Sequence, residues 1–143
     1  FATYWACSLQ NQPIYSDSNA SGGFFDNIDT ATTRANASNG LTQNVSENMV
    51  SQILWDLGDT TSKNGADDDM VSNANHLNVG NIQASYLLNA NLRNVGTQGV
   101  DLVDFLDGWF LKQGLSSCAG VRDIVTTKRL FPYDYAGPGG ACP

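Results

Sequence analysis

Apolar residues at helical spacing limit the possible fold of this chain more than any other feature. The clearest stretch lies between Ser46, a residue type that caps helix starts, and Gly58, a residue type that ends helices. From Met49 onward its apolar residues follow at i, i+1, i+4, i+5 and i+8, which puts them on one side of a helix. This stretch therefore predicts an amphipathic helix with one buried side.

Four further segments show the same periodicity, whereas no stretch of useful length alternates apolar and polar residues as a half-buried strand would. The chain therefore predicts a mainly α fold of four to five helices, with long irregular loops and little or no sheet. The further helical segments are residues 1–8, about 81–92, about 101–114 and about 117–128.

Between the first two predicted helices, residues 9–45 are dense in Asn, Ser, Thr and Gly. This composition predicts a long irregular segment, and a loop of such length usually carries function or wraps over another part of the protein. We expect its apolar residues Phe24, Phe25 and Ile28 to hold it against the core.

Composition suits one domain over residues 1–143 and limits the partners of that domain. The net charge of −7 and the pI near 4.2 give a field that repels nucleic acid and anionic lipid, and the basic residues form no stripe. No apolar run approaches the length of a membrane span. Polarity rests on Asn, Ser, Thr and Gly, because charged residues make up only 15%. We therefore predict a secreted or extracellular protein without nucleic-acid or membrane partners.

The three cysteines predict one disulfide and one thiol. Cys142 lies in a tail rich in Pro and Gly, which would fray unless a bond tied it down. We predict a Cys118–Cys142 disulfide that ties this tail region, residues 115–143, to the helices. Cys7 has two interpretations, a small buried hydrophobic residue or a thiol whose partner lies upstream, and we predict the first.

The chain has one histidine, His76, which lies in the polar stretch SNANHLNVG. A zinc hydrolase needs three protein ligands and a base, and a Ser-His-Asp or Cys-His site would also need this same residue. We expect His76 to be a surface residue, because no nucleophile motif surrounds it. The sequence therefore holds no complete active site, and we assign no catalytic residue.

An acidic stretch follows the helix that begins at Ser46. Calcium takes several oxygen ligands, which clustered aspartates and backbone carbonyls supply. The spacing does not match the EF-hand template, so a solvated acidic loop is the alternative interpretation. The candidate calcium ligands are Asp56, Asp59, Asp67, Asp68 and Asp69.

A second set of acidic residues, Asp101, Asp104 and Asp107, recurs every three residues along one predicted helix. Apolar residues fill the opposite side of this helix. The pattern is typical of a solvated helix face, so we expect all three carboxylates in water.

Four segments, in order, resemble parts of gluzincin metallopeptidases and related proteins. FATYW, from Phe1, resembles the continuation of the E-G-F-A-T-Y-W helix of that family, whose glutamate is the third zinc ligand. SENMVSQILWDLGD, the acidic DDD and then GVDLVDFLDGWF are similar in order and spacing to segments of secreted bacterial zincin-like proteins. The resemblance covers Phe1 to about Phe110.

This resemblance implies a ligand glutamate two residues before Phe1 and an HExxH helix further upstream, both outside this sequence. The chain then corresponds to the C-terminal helical subdomain of a larger zinc metallopeptidase, and its partner is the upstream part of the same protein. Zinc is implied for that parent protein and is not bound by this chain alone. Phe1, Tyr4 and Trp5 become core contacts of the zinc-ligand helix.

Two other functions remain open at the level of sequence. One is a non-catalytic extracellular structural or assembly module, such as a filament or surface-layer subunit, whose partners are neighbouring subunits. Its support is the missing active site, the neutral polar surface and a long adaptable loop. The other is a calcium-dependent binding module centred on the aspartates from Asp56 to Asp69.

Overall fold

The computed structural model describes residues 1–29, 33–34, 45–59, 71, 75–88, 101–133 and 135. Within these ranges the protein is mainly α-helical with one two-stranded sheet, as the sequence predicts. The elements are α1 (Ala2–Gln10), β1 (Ile14–Asn19), β2 (Gly22–Asn27), α2 (Glu47–Gly58), α3 (His76–Leu88), α4 (Leu102–Gln113), a 3₁₀ turn (Leu115–Ser117), α5 (Cys118–Arg122) and a π-helical turn (Asp123–Lys128).

Helices α2 and α4 begin and end where their capping residues predict. The Ser46 side chain accepts a hydrogen bond from the Met49 backbone N–H at 3.2 Å, and Asp101 does the same for Asp104 at 3.1 Å. These caps satisfy backbone donors that the first helical turn leaves free. Gly114, at φ 71°, then ends α4 in a conformation that favours glycine.

Helix α3 begins at His76, about five residues before the predicted start near residue 81. The Asn75 side chain accepts a hydrogen bond from the Leu77 backbone N–H at 2.7 Å and so stabilises this earlier start. The first turn shows no clear apolar periodicity because Leu77 is exposed and the small Gly80 faces an aromatic ring of α1. Residues 89–92 of the predicted helix lie outside the described residues.

The last predicted helix, 117–128, is continuous in the structure, but it changes from α to π geometry after Arg122. It ends at Leu130, whose φ of 55° is left-handed. The Phe131 backbone N–H donates to the Val125 carbonyl at 3.1 Å, which closes the end of the helix.

Strands β1 and β2 form an antiparallel hairpin inside the segment that we predicted to be irregular. Ile14 pairs with Asn27 and Asn19 pairs with Gly22, so two residues make the turn. The prediction missed these strands because most of their residues on both faces are exposed, which leaves no apolar and polar alternation to detect.

Ile28 is buried as expected, but the prediction for Phe24 and Phe25 is wrong. Phe24 is 43% exposed and Phe25 is 78% exposed. Phe24 and Phe25 are neighbours on β2, so their side chains project to opposite faces of the hairpin, and both rings are exposed. Tyr15 within the hairpin and Ile28 after it pack in or against the core instead.

The core draws on all five helices. Helix α2 packs against α1, α3 and the π-helical turn, and α4 packs against α3. No helix in the described ranges is long and apolar enough to cross a membrane. The buried apolar residues are Tyr4, Cys7, Ile28, Met49, Ile53, Leu54, Trp55, Leu57, Val71, Val79, Ile82, Leu102, Phe105, Leu106, Trp109, Phe110, Cys118, Val121, Ile124, Val125 and Phe131.

Helix α2 is buried on all sides from Ser51 onward, which corrects the prediction of a single buried side. Two of its buried polar side chains, Ser51 and Gln52, are hydrogen-bonded. Ser51 donates a hydrogen bond to the Glu47 carbonyl at 3.0 Å, and Gln52 exchanges two hydrogen bonds of 2.9 Å with Thr33. Burial of this polar helix is therefore possible without leaving these amide and hydroxyl groups unpaired.

Asp56 on α2 forms an ion pair with Arg129, which directly follows the π-helical turn. Both side chains are fully buried, so this pair connects the C-terminal helices to the centre of the core. The Nε and Nη1 atoms of Arg129 have no hydrogen-bond partner in the described part of the chain. Loss of the carboxylate would therefore leave a buried guanidinium charge with little compensation.

We predict that Asp56→Asn lowers the free energy of unfolding by about 3–5 kcal/mol, because the Arg129 charge would stay buried without its counterion. The matched control is Lys128→Ala, which removes a partly exposed pair with Asp123 at 3.8 Å and should cost less than about 1 kcal/mol. Urea unfolding monitored by circular dichroism measures both. Similar losses in the two variants would contradict the assignment of a central role to the buried pair.

Candidate functional site

Helix α1 packs against the rest of the domain through the aromatic residues that the sequence analysis identified, Phe1, Tyr4 and Trp5. Tyr4 is fully buried, and Phe1 and Trp5 are partly buried and pack against the core. The Phe1 ring meets the Phe105 ring of α4 edge-on, with ring centroids 5.6 Å apart. The prediction that these three aromatics contact the core is consistent with their positions, whereas their link to a zinc-ligand helix stays a prediction.

Polar bonds add to these aromatic contacts along the first turns of α1. Thr3 donates a hydrogen bond to the Glu47 carboxylate of α2 at 2.6 Å. The Trp5 indole N–H donates to the Gln83 side chain of α3. A Cβ at Gly80 would lie 2.7 Å from the Trp5 ring, so only glycine lets α3 approach this closely.

Tyr4 and His76 join α1 to the start of α3. The Tyr4 hydroxyl lies 3.0 Å from His76 Nδ1. Burial raises the pKa of Tyr4 well above its usual value, so the phenol keeps its proton and donates to the imidazole. His76 Nδ1 is then the acceptor, and its proton is on Nε2 when the ring is neutral.

The His76 ring also packs against α2. Its centroid lies 4.6 Å from that of Trp55, and a Cβ at Gly58 would overlap His76 Nδ1. The prediction of a surface histidine is therefore wrong, because His76 is only partly exposed and contacts two helices. The sequence identifies Gly58 as a helix end. Its second role, leaving space for the His76 ring, depends on tertiary packing.

We call these contacts the α1 cluster. Their main effect is to hold α1 in position. The contacts fix α1 against α2, α3 and α4 at successive positions, so they hold both the rotation and the axial position of the helix. Sequence reasoning found the aromatics of α1 but missed their partners on the other helices. The α1 cluster comprises Phe1, Thr3, Tyr4, Trp5, Glu47, Trp55, His76, Gln83 and Phe105.

The described residues contain no group of three or more His, Cys, Asp or Glu side chains that could hold a metal ion. Asp56 is paired with Arg129, and Asp59 is buried at the end of α2, where its backbone N–H donates to the Trp55 carbonyl at 2.8 Å. The other calcium candidates, Asp67, Asp68 and Asp69, lie outside the described residues. Calcium binding therefore stays a prediction, as does zinc in the parent protein.

The prediction that Asp101, Asp104 and Asp107 share a solvated face is wrong for Asp104. Asp101 is exposed at the cap of α4 and Asp107 is intermediate, whereas Asp104 is fully buried. Residues three apart on a helix differ by about 60° in direction, so three of them span a third of its circumference. Spacing along one helix gives this arc but not what packs on it, and the folded domain buries Asp104.

Two of the three cysteines, Cys7 and Cys118, lie among the described residues. Cys7 is a buried free thiol, as predicted. Burial, with a smaller contribution from the Asp26 charge, raises the pKa of this thiol, so its nucleophilic thiolate form is disfavoured. Cys118 is buried at the start of α5, and Cys142 lies outside the described residues. The Cys118–Cys142 bond and the tied tail region therefore stay predictions.

Comparisons with protein-family models, with curated proteins and with solved structures found no match for this chain. The gluzincin resemblance thus rests on its sequence segments.

We predict that Tyr4→Phe lowers the free energy of unfolding at pH 7 by about 1 kcal/mol, because His76 loses its donor. Above pH 10 the difference should shrink. Above pH 10, Tyr4 loses its proton in the unfolded wild type but keeps it in the folded state. The free energy of unfolding of the wild type therefore falls by about 1.4 kcal/mol per pH unit. The variant lacks this term.

Urea unfolding at pH 7 and at pH 10.5 measures this difference. Tyr133→Phe is the matched control, because Tyr133 is 54% exposed, and it should change stability little at either pH. An equal effect of Tyr4→Phe at both pH values would contradict the buried, protonated Tyr4 donor.

Proposed function

We propose that this chain is the C-terminal helical subdomain of a secreted zincin-like zinc metallopeptidase, in which it holds the zinc-ligand helix in position. The observation that carries the proposal is the α1 cluster, which connects one short helix to three others. Peptide hydrolysis would reside in the complete protein, and no residue of this chain is given a catalytic role.

The packing of the resembling segments supports this proposal. FATYW covers the cap and first turn of α1, SENMVSQILWDLGD covers the cap and length of α2, and GVDLVDFLDGWF forms most of α4. Helix α1 contacts both of the others, through Thr3 to Glu47 and through Phe1 to Phe105. These three segments therefore pack together, whereas DDD lies outside the described residues.

The chemistry of a zinc site gives a reason for such support. A catalytic zinc ion activates its bound water only when its protein ligands keep a fixed geometry, and residues that orient those ligands matter for affinity. The α1 cluster places its bonds in the first five residues of this chain, at the end of α1 nearest the proposed ligand. A helix held by both aromatic packing and hydrogen bonds moves little relative to its neighbours.

In the described part of the chain, the His, Cys, Asp and Glu side chains form no group that could hold a zinc ion. His76, the one histidine, accepts the Tyr4 proton on Nδ1 and packs against Trp55. The proposal therefore places all zinc ligands in the upstream part of the protein, and the role of this chain is to support them.

The test is to express the complete reading frame that encodes this chain and to measure its zinc content and peptidase activity. We expect bound zinc and hydrolysis that a chelator abolishes. Thr3→Val keeps the side-chain volume but removes the bond to Glu47, so it should lower zinc affinity about 10-fold. Thr126→Val, which removes an exposed bond to Tyr135, is the control. A complete protein without HExxH and without zinc would refute the proposal.

A second candidate function is a non-catalytic extracellular assembly module, such as a filament or surface-layer subunit. One observation favours it, namely the exposed apolar residues Ile14, Phe24 and Phe25 on the hairpin. Ile14 and Phe25 lie on the same face of the hairpin, and neighbouring exposed apolar groups mark sites of protein interaction. Electron microscopy of the purified protein tests this function. Regular polymers would support it, whereas dispersed monomers with peptidase activity would refute it.

A further inference from the structure

The pairing of the hairpin fixes which backbone groups lie at its outer edges. The Ile28 backbone N–H donates to the Pro13 carbonyl at 2.9 Å, one residue pair beyond the strands. In an antiparallel ladder, pairs that exchange hydrogen bonds alternate with pairs that do not. From that bond, the third pair along, Ser16 with Phe25, is of the second kind. The backbone N–H and C=O of Phe25 therefore point away from β1.

The outer edge of β2 is open in the described part of the chain. Gly23, two residues before Phe25, shares its outward backbone orientation, and both residues are exposed. Their backbone groups have no hydrogen bond to any residue other than those of the hairpin ladder. Strand β1 packs against α1, whereas β2 has no comparable contact with a described helix. The edge of β2 therefore offers donors and acceptors to another strand.

Strand β2 also lacks the features that usually block such an edge. Proteins protect exposed edges with lysine, with proline or with a bulge that twists the strand away. The segment GGFFDN contains neither lysine nor proline, and its pairing with β1 is one-to-one without a bulge. A sheet of two strands gains stability from further strands. An added strand would therefore both satisfy this edge and stabilise the hairpin.

We propose that β2 pairs antiparallel with β2 of a second copy of this chain, an inference that rests on the assembly function proposed above. The two-fold axis passes beside Phe25, so the two Phe25 residues face each other. Because their N–H and C=O groups point outward, they exchange two backbone hydrogen bonds. The two hairpins then form one four-stranded sheet.

The sequence of β2 is complementary to itself in this register. Gly23 lies opposite Asn27 of the other copy, and Phe24 lies opposite Asp26. No two carboxylates therefore face each other, whereas a register centred on Asp26 would bring two of them together. This match of β2 with its own sequence favours a second copy as the partner.

Side chains on the outer face of the hairpin add to the backbone contact. The two Phe25 rings lie on the same face of the joined sheet as a cross-strand aromatic pair. Ile14 shares this face with Phe25, and the two side chains are 53% and 78% exposed in one molecule. The contact therefore also covers apolar groups. It uses the same edge of both molecules, so it is complete with two copies.

The experiment measures dimerisation by sedimentation velocity in variants of the outer edges. Phe25→Pro removes the outward N–H but no hydrogen bond inside the hairpin, so it should weaken the dimer more than about 10-fold. Phe25→Leu keeps the N–H and an apolar side chain, and it should still dimerise. Ser16→Pro is the matched control, because it removes an outward N–H from the edge of β1 and should leave dimerisation unchanged.

Hydrogen exchange of the wild type gives a second readout that needs no variant. Exchange of the Phe25 amide should slow as the protein concentration rises, because the dimer protects it, whereas exchange of the Ser16 amide should not change. Circular dichroism confirms that each variant folds.

Three results would refute the β2 contact. One is a wild-type chain that stays monomeric at about 1 mM. Another is a dimer that Ser16→Pro disrupts and Phe25→Pro does not. The third is regular polymers that form equally well from the wild type and from Phe25→Pro, which would leave the assembly function in place and remove only this contact.

Discussion

The contact of Tyr4 with His76 against Trp55 is the constraint on which the three-helix packing of this protein depends. It joins α1, α3 and α2 at one point, and burial keeps the phenol protonated so that it acts as a donor. Gly58 makes the contact possible, because any larger side chain there would overlap the imidazole. A larger residue at Gly58 would therefore displace the imidazole, and Tyr4 would lose its hydrogen-bond partner.

A buried ion pair connects α2 to the C-terminal helices. The chain uses few charged residues, yet it places Asp56, Asp104 and Arg129 in full burial. Paired charges in a core add little stability over an apolar core, but they penalise every packing in which the partners separate. The pair between Asp56 and Arg129 thus selects one position of the C-terminal helices against α2, which an apolar contact alone would leave less defined.

The two proposed functions use different parts of the molecule. The metallopeptidase proposal depends on the buried side of α1, whereas the assembly proposal depends on apolar residues that the hairpin exposes. Internal support of a helix needs packed contacts and rigid bonds, and self-association needs exposed apolar groups.

The sequence by itself determined the helices whose periodicity and capping residues agree, as at Ser46, Asp101 and Gly114, because those signals are local. It also identified Tyr4 as a core residue. Only tertiary structure decided the partners of these residues. It brought His76 to Tyr4, buried Asp104, paired Asp56 with Arg129 and left Phe25 in solvent. Each outcome depends on contacts between residues far apart in the chain, which local spacing does not encode.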